Sequence, residues 1–248
     1  MSVQKVGFIG LGMMGAPMCA RIAGAGHALY VADADPARVE EICGKLSAAP
    51  LTEVAAKDLD VLITMLPNSS IVESVLLDEG WADRLTPGAL VIDMSSSEPV
   101  RSRELAETLA GRGLHYLDAP VSGGIAAANG GTLTFMVGGT EKAFGRAEEV
   151  LQAMGKAVIH AGDAGAGQTA KICNNMLLAI SMIGTAEAMK MAEKLGLDPQ
   201  KFYEISSQSS GYCWSLNAYT PMPGVGVESP ADKDYKGGFA TGLMLKDL

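Results

Sequence analysis

Gln168-Thr-Ala-Lys171-Ile-Cys-Asn174-Asn175 places Lys171 and Asn175 four residues apart, so on a helix they share one face. An ammonium and an amide projecting together from an otherwise apolar helix are costly to bury unless a polar cleft or a ligand receives them. The bland reading is a solvated helix end, and spacing alone does not choose between the two. Ser122-Gly123-Gly124 joins a hydroxyl to two residues that leave their N–H groups uncovered. Such a turn can cradle a carboxylate, or it can be a tight structural turn. A lysine can take the proton of an alcohol or stabilise its developing alkoxide.

A third set of residues points to a nucleotide. Val6, Phe8 and Ile9 make a short apolar run, and the stretch Gly10-Leu-Gly12-Met13-Met14-Gly15 follows with the spacing G-x-G-x-x-G before a helical segment from Ala16 to Ala25. The pattern predicts strand, turn and helix. Gly10 permits the turn, Gly12 lets backbone approach a pyrophosphate, and Gly15 lets the helix pack on the strand with phosphates at its N-terminus. A second apolar strand, Ala28 to Ala32, ends in Asp33, where a carboxylate can accept hydrogen bonds from an adenosine ribose. Asp33, seconded by Asp35, would repel a 2′-phosphate, so NAD is expected rather than NADP. Arg38 is the dissenting residue and is expected to face solvent on the next helix.

The elements that must hold these groups alternate. Pro36 starts a helix from about Ala37 to Lys45, Val61 to Leu66 is a buried strand, and Ile71 to Leu77 a helix. Leu90 to Met94 is a strand, Pro99 to Gly111 a helix, and Leu114 to Leu117 a strand. Two further strands, Thr132 to Val137 and Ala157 to His160, flank a helix from Glu141 to Met154. This predicts an α/β fold with an N-terminal doubly wound Rossmann-type sheet over residues 1–164, with ligands at the carboxyl ends of its strands. That rule selects Met65-Leu66-Pro67-Asn68, Ser95-Ser96-Ser97 and the loop after Asp118. From Gly165 the pattern becomes all-α, opening with a helix of nearly 30 residues to Lys194, and residues 209–238 form a long functional type of loop.

Composition narrows the class. The chain has 248 residues, 48% hydrophobic, with a net charge of −9 and no basic run, which argues against nucleic acid and anionic membranes as partners. Polar residues through Ile172 to Met191 make that stretch a core helix in expectation, not a membrane span. Cys19, Cys43, Cys173 and Cys213 lack metal or disulfide spacing and are expected to be buried free thiols. His27, His115 and His160 are each expected to be structural, so no metal site is predicted. Asp93 and Asp118, at strand ends, favour loop bracing over substrate contact. The first strand begins within a few residues of Met1, which makes the cytoplasm the expected location.

Five blocks resemble the β-hydroxyacid dehydrogenase family, in order along the whole chain: 10–18, Asp118-Ala-Pro-Val-Ser-Gly-Gly124, 130–139, 167–175 and 238–247. Gln208 to Trp214 and Tyr219 to Gly224 are similar to its 3-hydroxyisobutyrate dehydrogenase branch. The resemblance implies that Lys171 is the catalytic lysine, that Ser122, Gly123 and Gly124 bind the substrate carboxylate, and that Asn175 orients the substrate. It also implies that Met65, Leu66, Pro67 and Ser96 flank the nicotinamide and its ribose, with Lys246 near the nicotinamide end. Trp214 and Tyr219 would wall the pocket of a methyl-branched 3-hydroxy acid, although ordinary packing is an equal reading of both aromatics. An unperturbed lysine titrates at about 10.4, so a base role needs desolvation or a neighbouring cation.

The implied activity is NAD-dependent oxidation of 3-hydroxyisobutyrate to its semialdehyde, within valine breakdown, by a homodimer or homotetramer. L-Serine, tartronate semialdehyde or glycerate, and 3-hydroxypropionate are the rival substrates; those with a hydroxyl or amine in place of the methyl demand polar pocket groups that the Trp214 region offers sparsely. A non-catalytic NAD-binding scaffold is the rival of another class, opposed by the retained Lys171 and Asn175. Chains of that family continue past the Lys-Asp-Leu block with more helix, so residues 165–248 are expected to be an incomplete substrate and dimerisation domain.

Overall fold

The computed structural model describes residues 3–238 and 241–247, with the side chains of residues 243, 246 and 247 outside the description. The chain divides into two compact units, Met1–Lys171 and Ile172–Leu248. The division falls inside a helix, seven residues beyond the sequence-based boundary at residue 164.

Among the described residues of the first unit, nine strands form one sheet. They are β1 (Lys5–Ile9), β2 (Ala28–Ala32), β3 (Ala48–Pro50), β4 (Val61–Thr64), β5 (Leu90–Asp93), β6 (His115–Asp118), β7 (Val121–Ser122), β8 (Leu133–Gly138) and β9 (Gly155–Gly162). The spatial order is β3-β2-β1-β4-β5-β6-β8-β7, with β9 paired to β8. The first six in that order run parallel; β8 is antiparallel to β6 and β7 but parallel to β9. The helices that follow the strands are α1 (Gly15–Gly24), α2 (Pro36–Lys45), α3 (Glu53–Ala56), α4 (Ser69–Glu73), α5 (Pro99–Gly111), α6 (Gly124–Gly130), α7 (Glu141–Met154) and α8 (Ala166–Lys194).

Side-chain alternation along the strands explains the two-sided core. Val6 and Phe8, Val61 and Ile63, Leu90 and Ile92 join one apolar cluster with Met18 and Ile22 of α1 and Val150 and Leu151 of α7. Ile9, Leu62, Val91 and Tyr116 point the other way, into a cluster with Leu105 and Leu109 of α5. A parallel sheet needs cover on both faces, and this one has it. Side chains also fix several helix starts: Asp35 accepts from the Ala37 amide, Thr140 from Ala143 and Asn68 from Ile71.

The second unit holds the remainder of α8, α9 (Pro199–Ser206), α10 (Trp214–Asn217), a 3-10 turn (Pro230–Lys233) and α11 (Thr241–Asp247). Its buried cluster is small: Met189, Leu216 and Val225, lined by Phe202, Tyr203, Cys213 and Met222. The expectation of a core helix fails for α8 beyond Lys171. Met176, Leu177, Ile180, Ile183 and Met191 are all exposed, and 17% of its most apolar window is buried. The cysteine expectation also needs correction. All four thiols are free, but only Cys19 is buried, where desolvation pushes its thiol up; Cys173 is exposed and Cys43 and Cys213 are half-buried.

Candidate active site

The glycine turn joins β1 to α1, and its three glycines are held to different requirements. Gly10 takes a positive φ of 104°, and a Cβ there would run into the Met65 carbonyl. A Cβ on Gly15 would strike the Gly10 carbonyl. These two are demanded by the protein's own packing. Gly12 is not: a Cβ there would meet only the Arg38 Nη1, at 3.6 Å. Its smallness serves an approach from outside, which is what a pyrophosphate over the turn requires. The entry to α1 has no side-chain cap and no acid in its first turn. Its N–H groups and partial positive charge fit a dinucleotide's phosphates.

Asp33, at the end of β2, accepts from the Leu11 amide at 2.6 Å and from the Asp35 amide at 2.9 Å. The carboxylate thus braces the turn and still offers lone pairs beside it. Arg38 is half exposed, 3.7 Å from Asp35 Oδ2, but it leans over Gly12 rather than simply facing solvent. Met13 is 73% exposed at the lip of the turn, while Met14 packs against the core.

The next strand ends supply the other predicted positions. Met65 and Leu66 are half-buried and Pro67 is exposed. The Leu66 amide donates to Ser95 Oγ at 2.9 Å, tying the loop after β4 to the loop after β5. Ser96 is half-buried beside it. Asp93, fully buried, organises this corner: it accepts from Thr64 Oγ1 at 2.9 Å, the Ser95 amide at 3.0 Å and Ser97 Oγ at 2.9 Å. Burial pushes its carboxyl up, and those hydrogen bonds oppose the shift. Loop bracing, the favoured sequence reading, is what Asp93 does.

Lys171 is buried and its Nζ donates to the Val121 carbonyl at 2.8 Å. That carbonyl immediately precedes Ser122-Gly123-Gly124, so the amine and the small-residue turn are brought together. Gly123 and Gly124 are exposed, have φ of 128° and 66°, and open α6 without a side-chain cap. The solvated-helix-end reading of Lys171 therefore falls. Gln168, which sequence reasoning passed over, is 1% exposed and spans to the Asp93 corner: its Nε2 donates to the Ser95 carbonyl at 2.8 Å, and its Oε1 accepts from the Ser97 amide at 3.0 Å. A fully polar side chain three residues before Lys171 on an apolar helix was the available signal.

Asn175 stands one turn beyond Lys171 on α8, within the second unit, and is buried; Asn174 Nδ2 donates to its Oδ1 at 3.2 Å. Also in that unit, Trp214 is 53% exposed and stacks on Tyr219 with ring centroids 5.0 Å apart. The side chain of Lys246 lies outside the described residues. Histidines have structural contacts: His27 Nδ1 accepts from the Gln4 amide, and His160 bonds the Gly139 carbonyl and stacks on Phe144. No group of three or more metal-ligating side chains occurs among the described residues.

A dinucleotide turn on a doubly wound sheet, followed by a buried lysine beside a small-residue turn, defines an NAD-dependent dehydrogenase acting on CH–OH. Comparison with known proteins agrees. Residues 5–162 match the NAD binding domain of 6-phosphogluconate dehydrogenase, and residues 165–248 match the NAD-binding domain of NADP-dependent 3-hydroxyisobutyrate dehydrogenase. The mitochondrial 3-hydroxyisobutyrate dehydrogenase of Homo sapiens is 48% identical over 250 residues, covering 100% of this chain and 74% of that protein. An NAD-dependent L-serine dehydrogenase of Pseudomonas aeruginosa is 46% identical over 99% of this chain and 83% of its own length. The solved Mycobacterium tuberculosis 3-hydroxyisobutyrate dehydrogenase with L-serine has a TM-score of 0.92 at 41% identity, over 99% of this chain and 84% of that one. The chain belongs to the 3-hydroxyisobutyrate dehydrogenase family of NAD-dependent oxidoreductases.

Proposed function

We propose that the chain oxidises the primary alcohol of 3-hydroxyisobutyrate to methylmalonate semialdehyde, as a step of valine breakdown, with Lys171 as the acid/base. The observation that carries this reading is the buried Lys171 amine held 2.8 Å from the Val121 carbonyl, at the edge of the Ser122-Gly123-Gly124 turn. In this reading the turn's N–H groups and the serine hydroxyl hold the substrate carboxylate, and Asn175 orients the alcohol. NAD, held at the Gly10–Gly15 turn, would supply the hydride acceptor. Neutral Lys171 takes the O–H proton as the C–H bond breaks, the O–H electron pair closes the carbonyl, and the amine later passes its proton to water. In the reverse direction Lys171 donates.

Gly10, Gly12, Gly15 and Asp33 hold the adenosine and pyrophosphate half of the cofactor, while Met65, Leu66, Pro67, Ser96 and Lys246 are assigned to its nicotinamide half. Trp214 supplies an apolar wall for the methyl branch. A second substrate, L-serine, has specific support: one relative at 46% identity is an L-serine dehydrogenase, and a solved relative carries L-serine.

Initial rates of NADH formation on 3-hydroxyisobutyrate, L-serine, glycerate and 3-hydroxypropionate decide the substrate. The expected outcome is a kcat/KM preference for 3-hydroxyisobutyrate of at least about tenfold, ~1.4 kcal/mol of transition-state discrimination. A preference for L-serine discards the methyl-wall role of Trp214 and keeps Lys171. Lys171→Ala is expected to lose turnover by about 10³-fold or more while NAD affinity stays close to that of the parent; an active alanine variant removes the mechanism.

A further inference from the structure

Helix α8 does not begin as an ordinary surface helix. It begins on the carboxyl end of β6. Asp118, the last residue of that strand, is completely buried, and its two oxygens divide between two backbone donors of the first turn: Oδ1 accepts from the Gly165 amide at 2.7 Å and Oδ2 from the Gln168 amide at 2.9 Å. Two glycines make the contact possible. A Cβ on Gly138, paired with Asp118 across β6 and β8, would lie 2.5 Å from Asp118 Oδ1 and 2.8 Å from the Gly167 amide. A Cβ on Gly167 would run into the Met136 carbonyl and lie 2.7 Å from the Asp118 carbonyl. The helix end is therefore pressed onto the carboxylate from both sides.

Lys171 is three residues after Gln168, and Val121 is three residues after Asp118. The Lys171 to Val121 hydrogen bond thus closes a small ring: β6 end, Asp118 carboxylate, first turn of α8, Lys171 amine, Val121 carbonyl. Gln168 adds a lateral tie to Ser95 and Ser97. In that ring the register of α8 on Asp118 decides where the amine lands relative to the Ser122-Gly123-Gly124 turn.

We propose that Asp118 is a positioning residue for Lys171: its ionised carboxylate fixes the first turn of α8 and so holds the amine at the substrate turn. The proposal rests on Lys171 being the acid/base. An ionised carboxylate accepts strongly with both oxygens, whereas a protonated one turns one oxygen into a hydroxyl that accepts more weakly, loosening one of the two amides. Burial raises the Asp118 carboxyl to about 6, with Asp93 beside it on β5 adding to the shift and the Gly165 and Gln168 amides opposing it. Among the described residues, the other titratable or charged groups around this helix end include Asp163, whose carbonyl accepts from the Ala166 amide, Tyr116 on β6, Arg103 of α5 beside Gly165, His160 of β9 on the Gly139 carbonyl, and Lys171 itself. The loosening of one amide on acidification is thus a loosening of register, set at a pH where Asp118 titrates.

The test uses the full chain and compares the parent with Asp118→Asn, Gln168→Ala and Lys171→Ala. Three readouts are taken: NAD affinity by titration calorimetry, kcat and KM from pH 5 to 8, and the rate at which an amine acylating reagent labels Lys171, followed by peptide mass spectrometry. Asp118→Asn is expected to keep NAD affinity within about twofold while kcat falls roughly tenfold to a hundredfold, as expected for a misplaced acid/base. The parent should show an acid limb near pH 6 that Asp118→Asn lacks, and Lys171 labelling should accelerate in the variant as the amine leaves Val121. Gln168→Ala should move kcat and labelling the same way, less far.

An Asp118→Asn protein with parental kcat, an unmoved acid limb and unchanged labelling overturns the proposal, as does one that loses NAD affinity in step with kcat. If Asp118→Asn fails to fold, the parent decides: hydrogen exchange of the Gly165 and Gln168 amides, corrected for intrinsic rate, should quicken below about pH 6, and protection unchanged from pH 7 to pH 5 overturns the proposal equally. An active Lys171→Ala overturns the proposed function instead, and the labelling readout then still reports whether Asp118 sets the place of the amine.

Discussion

Helices α1 and α8 begin at the same kind of place, the end of a strand in one sheet, and they meet the same electrostatic problem differently. Each exposes N–H groups and a partial positive charge at its start. At α1 the protein supplies no side-chain cap and no acid, and Gly12 leaves room above the turn. At α8 the protein supplies the anion itself, the buried Asp118 carboxylate, and leaves no room at all around Gly138 and Gly167. An open helix start is a place for a ligand's phosphates, while a filled one is an anchor. The proposed reaction needs both, because a cofactor would come and go while Lys171, as its acid/base, would have to stay in place.

The comparison breaks most severely at Gly167. A valine there has no volume to occupy, since even its Cβ would collide with the Met136 carbonyl, which is backbone and cannot step aside. Overpacking of this kind, combined with loss of the Asp118 hydrogen bonds, is expected to cost about 3–5 kcal/mol. Thermal or urea unfolding of Gly167→Val checks it; a transition within about 0.5 kcal/mol of the parent means that the anchor is not rigid.

A second expected effect sharpens the comparison through pH. The Asp118 carboxyl rises in the fold from 3.8 to about 6. Between those values the folded chain holds a proton that the unfolded chain has lost, so the contribution of Asp118 to stability is complete below about pH 4 and declines as pH rises through 6. Acidification across this window therefore favours the fold at Asp118 even as it disturbs the register of α8. The stability difference, parent minus Asp118→Asn, is expected to grow by on the order of 2 kcal/mol from pH 7 to pH 4.5. Denaturant melts at both pH values measure it, and a flat difference shows that Asp118 titrates in the fold as it does in the unfolded chain.

Much of the first unit was legible because its signals are local. The Gly10 to Gly15 spacing, Asp33 at the end of β2 and the buried runs of β4 and β5 each follow from backbone sterics or burial period within about ten residues. Short edge elements were not legible: β3 has three residues and β7 two, and their pairing is decided by the neighbours they meet. The antiparallel turn of β8 was hidden for the same reason. At the site, the i, i+4 spacing of Lys171 and Asn175 was readable, but the Val121 carbonyl that receives the amine is 50 residues away in sequence. The Asp118 anchor joins residues about as far apart, and a carboxylate at a strand end carries no mark of which helix it will hold. Apolar content foretold α8 as a helix and misjudged its burial, because composition gives a face and not what covers it.

The smallest expected effect isolates the open helix start. Gly12→Ala adds one methyl group whose Cβ would stand 3.6 Å from Arg38 Nη1, an ordinary contact with the end of a flexible side chain, and Gly12 needs no positive φ. The fold should therefore absorb it, with a melting temperature within about 2 °C of the parent, since a small surface change is usually worth under ~0.5 kcal/mol. The methyl nevertheless stands where a pyrophosphate must approach the backbone, so the Kd for NAD should rise about tenfold, ~1.4 kcal/mol. Calorimetry on the parent and the variant measures both quantities. A stable variant with weakened NAD binding shows that the sequence keeps glycine at position 12 for a ligand, in contrast to Gly167, which it keeps for the protein's own carboxylate. Unchanged affinity would mean that the phosphates sit away from this turn and that the opening at α1 is only a gap in packing.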